Sequence, residues 1–410
     1  MHRILSSFFL IVVFHSLQAE TIKVCPECNI NSISQAIGKA QANDTLVIQK
    51  GEYLEHDILI DKPLTLIGKG NPSINAETKG YGIIIKSDKV IIDGISINNV
   101  GKSFTKDFAA IYISKSHHFQ ILNTTLENVF FGVLIEKSNN GIVKGNHISS
   151  NAIQEAASGN GVHAWNCDNL DIHDNELHNL RDGIYLEFVT KSRVTHNNSY
   201  DNLRYGLHFM FSNNDEYHNN KFTKNGAGVA VMFSKYIKMT HNTFQENWGT
   251  ASYGLLLKEI YDAEIEHNTF EQNTIGINAE GSTRINYKNN HFIGNGWAVK
   301  ISGACYANVF KNNNFLNNSF DVSYNSKLND NSFEGNYWSS YTGYDLNRDG
   351  IGDIPFRPVK LFSYIVNRTP ETILLLRSLF MEILNFSEKV SPVFTPDNLK
   401  DNNPVMKKII

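Results

Sequence analysis

Through most of the chain, apolar and polar residues alternate over short runs, stop at asparagine and glycine, and start again. A period of two is strand periodicity, not helix periodicity. The runs are also copies of one another. The recurring phrase is Asn, any residue, Phe, a few polar residues, then Gly, Ile or Val, as in "NKFTKNGAGVAV" (220–231), "NTFQENWGTASYGLLL" (242–257) and "NTFEQNTIGINA" (268–279). Gly161, Gly183, Gly206, Gly228, Gly254 and Gly276 follow at intervals of 22 to 26 residues. A repeat of that length, strand-like and rich in Asn and Gly, predicts an all-β solenoid: a right-handed parallel β-helix over 20–340, with three short strands per turn. Asn is expected at the tight corners, where it tolerates left-handed backbone angles and can hydrogen-bond its copy in the next turn. The segment opening "SISQAIGKAQ" predicts a helix from about Ser32 to Ala42 that plugs the first turn and hides its open edge.

The alternation also predicts which side chains face water. After each repeat glycine the first and third positions are apolar and point inward, for example Leu207 and Phe209, or Val229 and Val231. The fourth position reads Glu136, Trp165, Glu187, Met210, Met232, Lys258, Glu280, Lys300, and so points out. The second reads Leu134, His163, Tyr185, His208, Ala230, Leu256, Asn278, Ala298. Two of only six methionines therefore share one outward slot, in "YGLHFMFS" and "AGVAVMFS". Turns of such a stack lie about 4.8 Å apart, so both thioethers can reach one soft ion. Thioether with imidazole suits Cu(I), which makes Met210 and Met232, helped by His208 and His163, candidate copper ligands. A second reading is a partner-binding surface, apolar at Trp165, Tyr185, His208, Met210, Met232 and Leu256 and bordered by Glu187 and Lys258, and the two are compatible. Met239 falls on an inward position and reads as core.

Outside the repeat, "MHRILSSFFLIVVFHSLQAE" has the basic start, short apolar run and small residue of a signal peptide over 1–19, and so predicts an exported chain. A net charge of −4 with no basic patch argues against nucleic acid as a partner. Four cysteines allow three pairings. Cys25 and Cys28 in "CPEC" could close a small disulfide loop or hold a soft metal, while Cys167 and Cys305 read as lone buried thiols. In 341–360, "DLNRDGIGD" places Asp345, Asn347, Asp349, Ile351 and Asp353 at calcium-loop spacing. Phe356 stands where an EF-hand has its bidentate glutamate, so the choice is a structural calcium site or a plain Asx-rich turn. In 361–410, Thr369 and Pro370 look like a helix start. That helix, with Leu376 and Phe380 on it, is either a lid on the stack or a dock for a membrane protein. The tail after it looks extended and little ordered.

Taken together, "RDGIYLEFVT", "NLRYGLHFMFSN", "GAGVAVMFSK", "SYGLLLKEI", "GNYWSSYTGYDLNRDGIGDIPFRP" and the final "NPVM" resemble the NosD family over roughly 31–407. The resemblance implies a periplasmic, non-enzymatic accessory protein, membrane-associated through an ABC transporter made of a permease and its ATPase. It also implies a copper chaperone as donor and nitrous oxide reductase as client, with delivery toward the copper–sulfide centre. It favours the metal reading of the Met210/Met232 face, whereas the ligand choice comes from the repeat. "CPEC" is not part of the family pattern. The rival is a carbohydrate-active β-helix, a lyase or epimerase on an acidic polysaccharide. Such an enzyme needs clustered carboxylates, which the outward columns do not supply.

Overall fold

In a computed structural model the described residues are 19–103, 105–151, 153–325, 330–376, 378–390 and 399–410; the expected signal peptide lies outside them, save Ala19. The chain is a parallel β-solenoid. Each turn sends one strand to each of three sheets, of 14, 12 and 13 strands, and beyond the first strand of the chain neighbours within a sheet are three strands apart in sequence. The ladders between the described strands are parallel, and the interior is one continuous apolar core.

Two internal columns explain the repeated phrase. Its Asn forms a buried ladder: Asn197 donates its backbone N–H and its amide to Asn220 Oδ1, both at 3.0 Å. Asn220 repeats this with Asn242 and also donates to Val194 O. The Phe two residues on stacks in the core beside it, Phe222 on Phe244, Phe270, Phe292, Phe315 and finally Trp338, with centroids 4.1 to 5.6 Å apart. Full burial of one such ring is worth about 2–3 kcal/mol. Each ladder asparagine satisfies a buried donor above and a carbonyl below, so the register cannot slip without orphaning both. The left-handed residue is not the ladder Asn but the one before it: His196, Asn219, His241, His267 and Asn289 all have φ near +55°. This explains the surface row of histidines, in which His241 stacks on His267 at 5.0 Å.

Helix α1 (Ile33–Lys39) is shorter than expected and turns Ile33, Ala36 and Ile37 into the core. Glu55 accepts from Ser32, Ile33 and Ser34 at its N-terminus, and Lys62 donates to the Ile37 and Ala40 carbonyls at its C-terminus. That is the charge arrangement a helix dipole favours. Cys25 and Cys28 form a disulfide, and Cys167 and Cys305 are buried and free. Met239 is core.

The C-terminal end departs from expectation. There is no single helix from Thr369. Instead α2 (Leu361–Arg368) is followed by a 3-10 turn at Pro370–Leu375 and by α3 (Leu379–Val390), because Thr369 and Pro370 end one element and begin another. Phe362, Val366 and Met381 pack on Phe320, at the last strand of the 12-stranded sheet, with Leu376 turned into the same cluster. Of the tail, residues 399–410 are more ordered than their composition suggests, since Asp401 pairs with Phe333 and Val405 with Tyr337 on the last strands of the other two sheets. The 345–353 loop is an Asx-rich turn. Asp345 accepts from Asp349 N and Gly350 N, Asp349 from Ile351 N, and Asp353 from Leu346 N. Its carboxylates accept from their own backbone, and among the described residues no three acidic side chains converge there as a metal site.

One core residue is poorly solvated. Asp215 is fully buried and accepts from Ser192 N at 2.7 Å, while its other oxygen has no partner. Burial pushes its carboxyl up to about 8. A carboxyl raised from its unfolded value of 3.8 binds its proton more tightly when folded, so the associated stability is lost as pH rises through about 8. Urea melts of Asp215→Asn between pH 4 and 8 should lack the decline that the wild type shows; equal slopes would refute the assignment.

Candidate functional site

The outer face of the 12-stranded sheet is set by the repeat glycines. A Cβ on Gly206 would stand 2.9 Å from Phe222 Cδ1 and 2.9 Å from Gly228 O, so this position faces inward. Leu207 after it also faces inward. Two consecutive inward positions put the residue before the glycine outside, a local irregularity that simple alternation misses. That extra column (Phe131, Asp182, Tyr205, Trp297) roofs the second column. Phe131 packs on His163 at 5.5 Å, Tyr205 on His208 at 4.8 Å, and Lys300 sits over Trp297 at 5.3 Å.

Consequently the second column is outside the core but not free. His208 is only 6% exposed, and so is Leu256, which corrects the expectation that Leu256 offers a landing surface. His163 and Tyr185 are half-buried. The fourth column is more accessible: Trp165, Glu187, Met210, Met232 and Lys258 are each partly exposed. Register makes Glu187, Met210, Met232 and Lys258 consecutive neighbours. Higher up, Lys300 faces Asn278 and Ser302 faces Glu280, so Lys300 and Ala298 belong one column earlier than the spacing suggests. The count slips there because Ala298 takes the glycine slot opposite Gly276.

The two methionines are thus directly opposite on adjacent strands, with Tyr185 O–H 3.9 Å from Met210 Sδ and 3.3 Å from Glu187 Oε2. Burial and the Glu187 charge push the Tyr185 phenol up to about 12, so it stays a donor. Toward the N-terminal end of the same strands lies a charged cluster. Asp182 is fully buried and takes Arg204 in a two-point pair through Nε and Nη2. His208 Nδ1 stands 3.8 Å from Asp182 Oδ2, and its Nε2 has no hydrogen-bond partner. Burial would raise the Asp182 carboxyl, but hydrogen bonds and charge from Arg204 and His208 hold it below the usual range. His163 is not brought to the methionines: it lies opposite Tyr185, which lies opposite His208, about 10 Å away in stack height. Burial takes its imidazole down to about 4, so it is neutral.

One feature escaped sequence reasoning. Phe188, Phe211 and Phe233 follow Glu187, Met210 and Met232, and they stack in an exposed file 5.1 and 5.2 Å apart. All three have left-handed φ near +50°, uncommon for a bulky residue. The signal was present in "EFVT", "MFSN" and "MFSK", where Lys137, Asn166 and Glu259 fill the same slot in other turns. Phe380 is exposed on α3 and Leu376 is partly covered. Among the described residues no three His, Cys, Asp or Glu side chains converge as a metal site, which leaves the thioether pair as the soft-metal candidate.

A family model described as periplasmic copper-binding protein (NosD) matches residues 144–343. A probable ABC transporter binding protein NosD of Stutzerimonas stutzeri is 26% identical over 87% of this chain and 85% of its own length. Its namesake in Pseudomonas aeruginosa is 25% identical, covering 90% of each. Among solved structures, a family 28 exopolygalacturonase of Yersinia enterocolitica aligns with a TM-score of 0.59 at 10% identity, over 78% of each chain. At that identity it shares the solenoid and nothing more. Over nearly its whole length the sequence follows the two bacterial relatives, and its central part matches the NosD family of periplasmic copper-binding proteins, the family this chain is similar to.

Proposed function

We propose that this chain carries copper as cargo, held as Cu(I) by Met210 and Met232, and passes it toward the copper–sulfide centre of nitrous oxide reductase. The observation that supports the reading is the in-register, half-exposed methionine pair, flanked by Tyr185, with His208 two residues before Met210 on the same strand. Thioethers are soft, neutral ligands that suit Cu(I) and release it readily to a site with more donors. His208 Nε2, buried without a partner, is a third donor in waiting if its ring swings toward the pair. The Phe188–Phe211–Phe233 file beside the pair supplies an apolar rim on which a donor or client protein can seat. In this scheme a copper chaperone loads the site. An ABC transporter, a permease with its ATPase, holds the scaffold at the membrane, with Phe380 on α3 facing that partner. No described helix is long and apolar enough to cross a bilayer.

The test is competition for Cu(I) against a chromogenic chelator. Met210→Leu/Met232→Leu should weaken binding by at least about tenfold, the loss of roughly 1.4 kcal/mol or more, with the melting temperature little changed because leucine conserves volume. Unchanged Cu(I) affinity in the double variant would remove these ligands. A reductase matured without this chain should be copper-poor; a fully loaded one would refute the delivery role.

A further inference from the structure

A different face of the solenoid carries a second pair of facing donors. Strands His147–Ser149 and Glu176–His178 are parallel neighbours in the 13-stranded sheet, with His147 opposite Glu176 and Ser149 opposite His178. Ile148 and Leu177, between these residues, are fully buried, so His147, Glu176 and His178 stand on the outer surface, half-exposed. There the two imidazoles converge, with His147 Nε2 3.3 Å from His178 Nε2.

That separation has two physical explanations. One ring can donate Nε2–H to the other. Alternatively both Nε2 lone pairs can share a cation. A tetrahedral ion with metal–nitrogen bonds of about 2.05 Å places two ligand nitrogens about 3.3–3.4 Å apart. The surroundings favour the second arrangement. Glu176 Oε2 lies 3.5 Å from His147 Nδ1, where a carboxylate draws the ring proton to Nδ1 and leaves Nε2 as a lone pair. The other Glu176 oxygen accepts from Tyr200 O–H at 2.6 Å, which fixes the carboxylate. Tyr200 in turn stacks on His178 at 4.9 Å and nearly parallel, fixing the second ring. A shift of the His178 proton from Nε2 to Nδ1 frees the second lone pair without net proton release.

We propose that His147 and His178 form a two-histidine site for one divalent, imidazole-preferring cation of the Zn(II) or Cu(II) kind, with Glu176 and Tyr200 as its positioning residues. Since no third His, Cys, Asp or Glu joins them among the described residues, water completes the shell. The site is separate from the methionine pair in sheet, in ligand chemistry and in preferred oxidation state. Its success or failure therefore leaves the Cu(I) reading standing or falling on its own test.

The experiment is titration of the mature chain with Zn(II), and separately with Cu(II), followed by calorimetry and by electron paramagnetic resonance. One ion per chain is expected, with Cu(II) showing coupling to two nitrogens. His147→Ala and His178→Ala should each lose at least about tenfold in affinity. Glu176→Gln, which keeps both ligands, should lose about tenfold through the outer shell alone. Met210→Leu/Met232→Leu should bind as the wild type does. Wild-type affinity in both histidine variants would overturn the proposal. So would an equal loss in His241→Ala/His267→Ala, which removes the exposed stacked pair elsewhere. If an alanine variant misfolds, the Glu176→Gln arm decides: no change in its affinity overturns the site.

Discussion

Asp401→Asn is expected to destabilise the protein by about 2–4 kcal/mol, although asparagine fills the equivalent slot in every turn from Asn146 to Asn336. The reason is that a ladder of amides needs an end. Each Asn presents Oδ1 to the turn before it and donates onward to the turn after it. At Asn336 there is no further turn, and Asp401 arrives from 65 residues downstream to accept. Its Oδ2 takes Asn336 N, Asn336 Nδ2 and Trp338 Nε1, and its Oδ1 takes Gly335 N and Asn403 N. A carboxylate has only acceptors and serves all five donors. An amide in either orientation turns its NH2 against at least two of them, leaving buried N–H groups without partners. Asp401→Ala should cost more, because nothing then closes the ladder or ties down the chain end. Urea melts of the variants would measure both, and limited proteolysis should release the 399–410 segment first in the alanine variant. Wild-type stability for Asp401→Asn would mean that the tail merely rests on the stack.

This end-piece shows where sequence reasoning succeeds and where it stops. The solenoid was legible because its signals are local and repeated. "NTF" occurs in successive turns, and one interior carries both the Asn ladder and the Phe stack. The outward placement of Met210 and Met232 followed from the same alternation. What alternation cannot reveal is a shared backbone irregularity, and Gly206 with Leu207 turned inward is enough to put Tyr205 outside and hide His208 beneath it. Leu256 was misjudged for that reason, since facing away from the core is not the same as facing water. Single events with no second copy were equally opaque. Asp401 looks like any tail aspartate until its donors are counted, and "DLNRDGIGD" has calcium spacing but uses its carboxylates on itself. His147 and His178 were invisible because their contact is diagonal, between adjacent turns and two residues apart along the strand.

Arg204→Ala should have the largest effect near the methionine face, about 3–5 kcal/mol at neutral pH. Asp182 is fully buried, and among the described residues Arg204 is its only two-point partner. Removing the guanidinium leaves the carboxylate with Tyr205 N at 3.3 Å and His208 at 3.8 Å. Arg204 keeps a 31% exposed side chain, so water entering its place softens the loss, and the lower end of that range is the better expectation. The pH dependence separates lost charge pairing from lost packing. In the wild type the Asp182 carboxyl is held below its usual range, so this contribution is present above the unfolded value of 3.8 and is lost as pH falls through the lower folded value. Without Arg204, burial becomes the dominant influence and raises the carboxyl. The folded form then prefers the proton, and stability falls as pH rises from about 4 toward neutrality. Urea melts from pH 4 to 7, compared with the wild type, should therefore show a slope that becomes more negative in the variant. Arg204→Lys should recover part of the stability but not the two-point geometry. Because Asp182 and Tyr205 both hold the His208 ring, Arg204→Ala should also weaken Cu(I) binding without touching a thioether. If its pH slope matched that of the wild type, the buried charge would have found another partner, and the link from Arg204 through Asp182 to the methionine face would be broken.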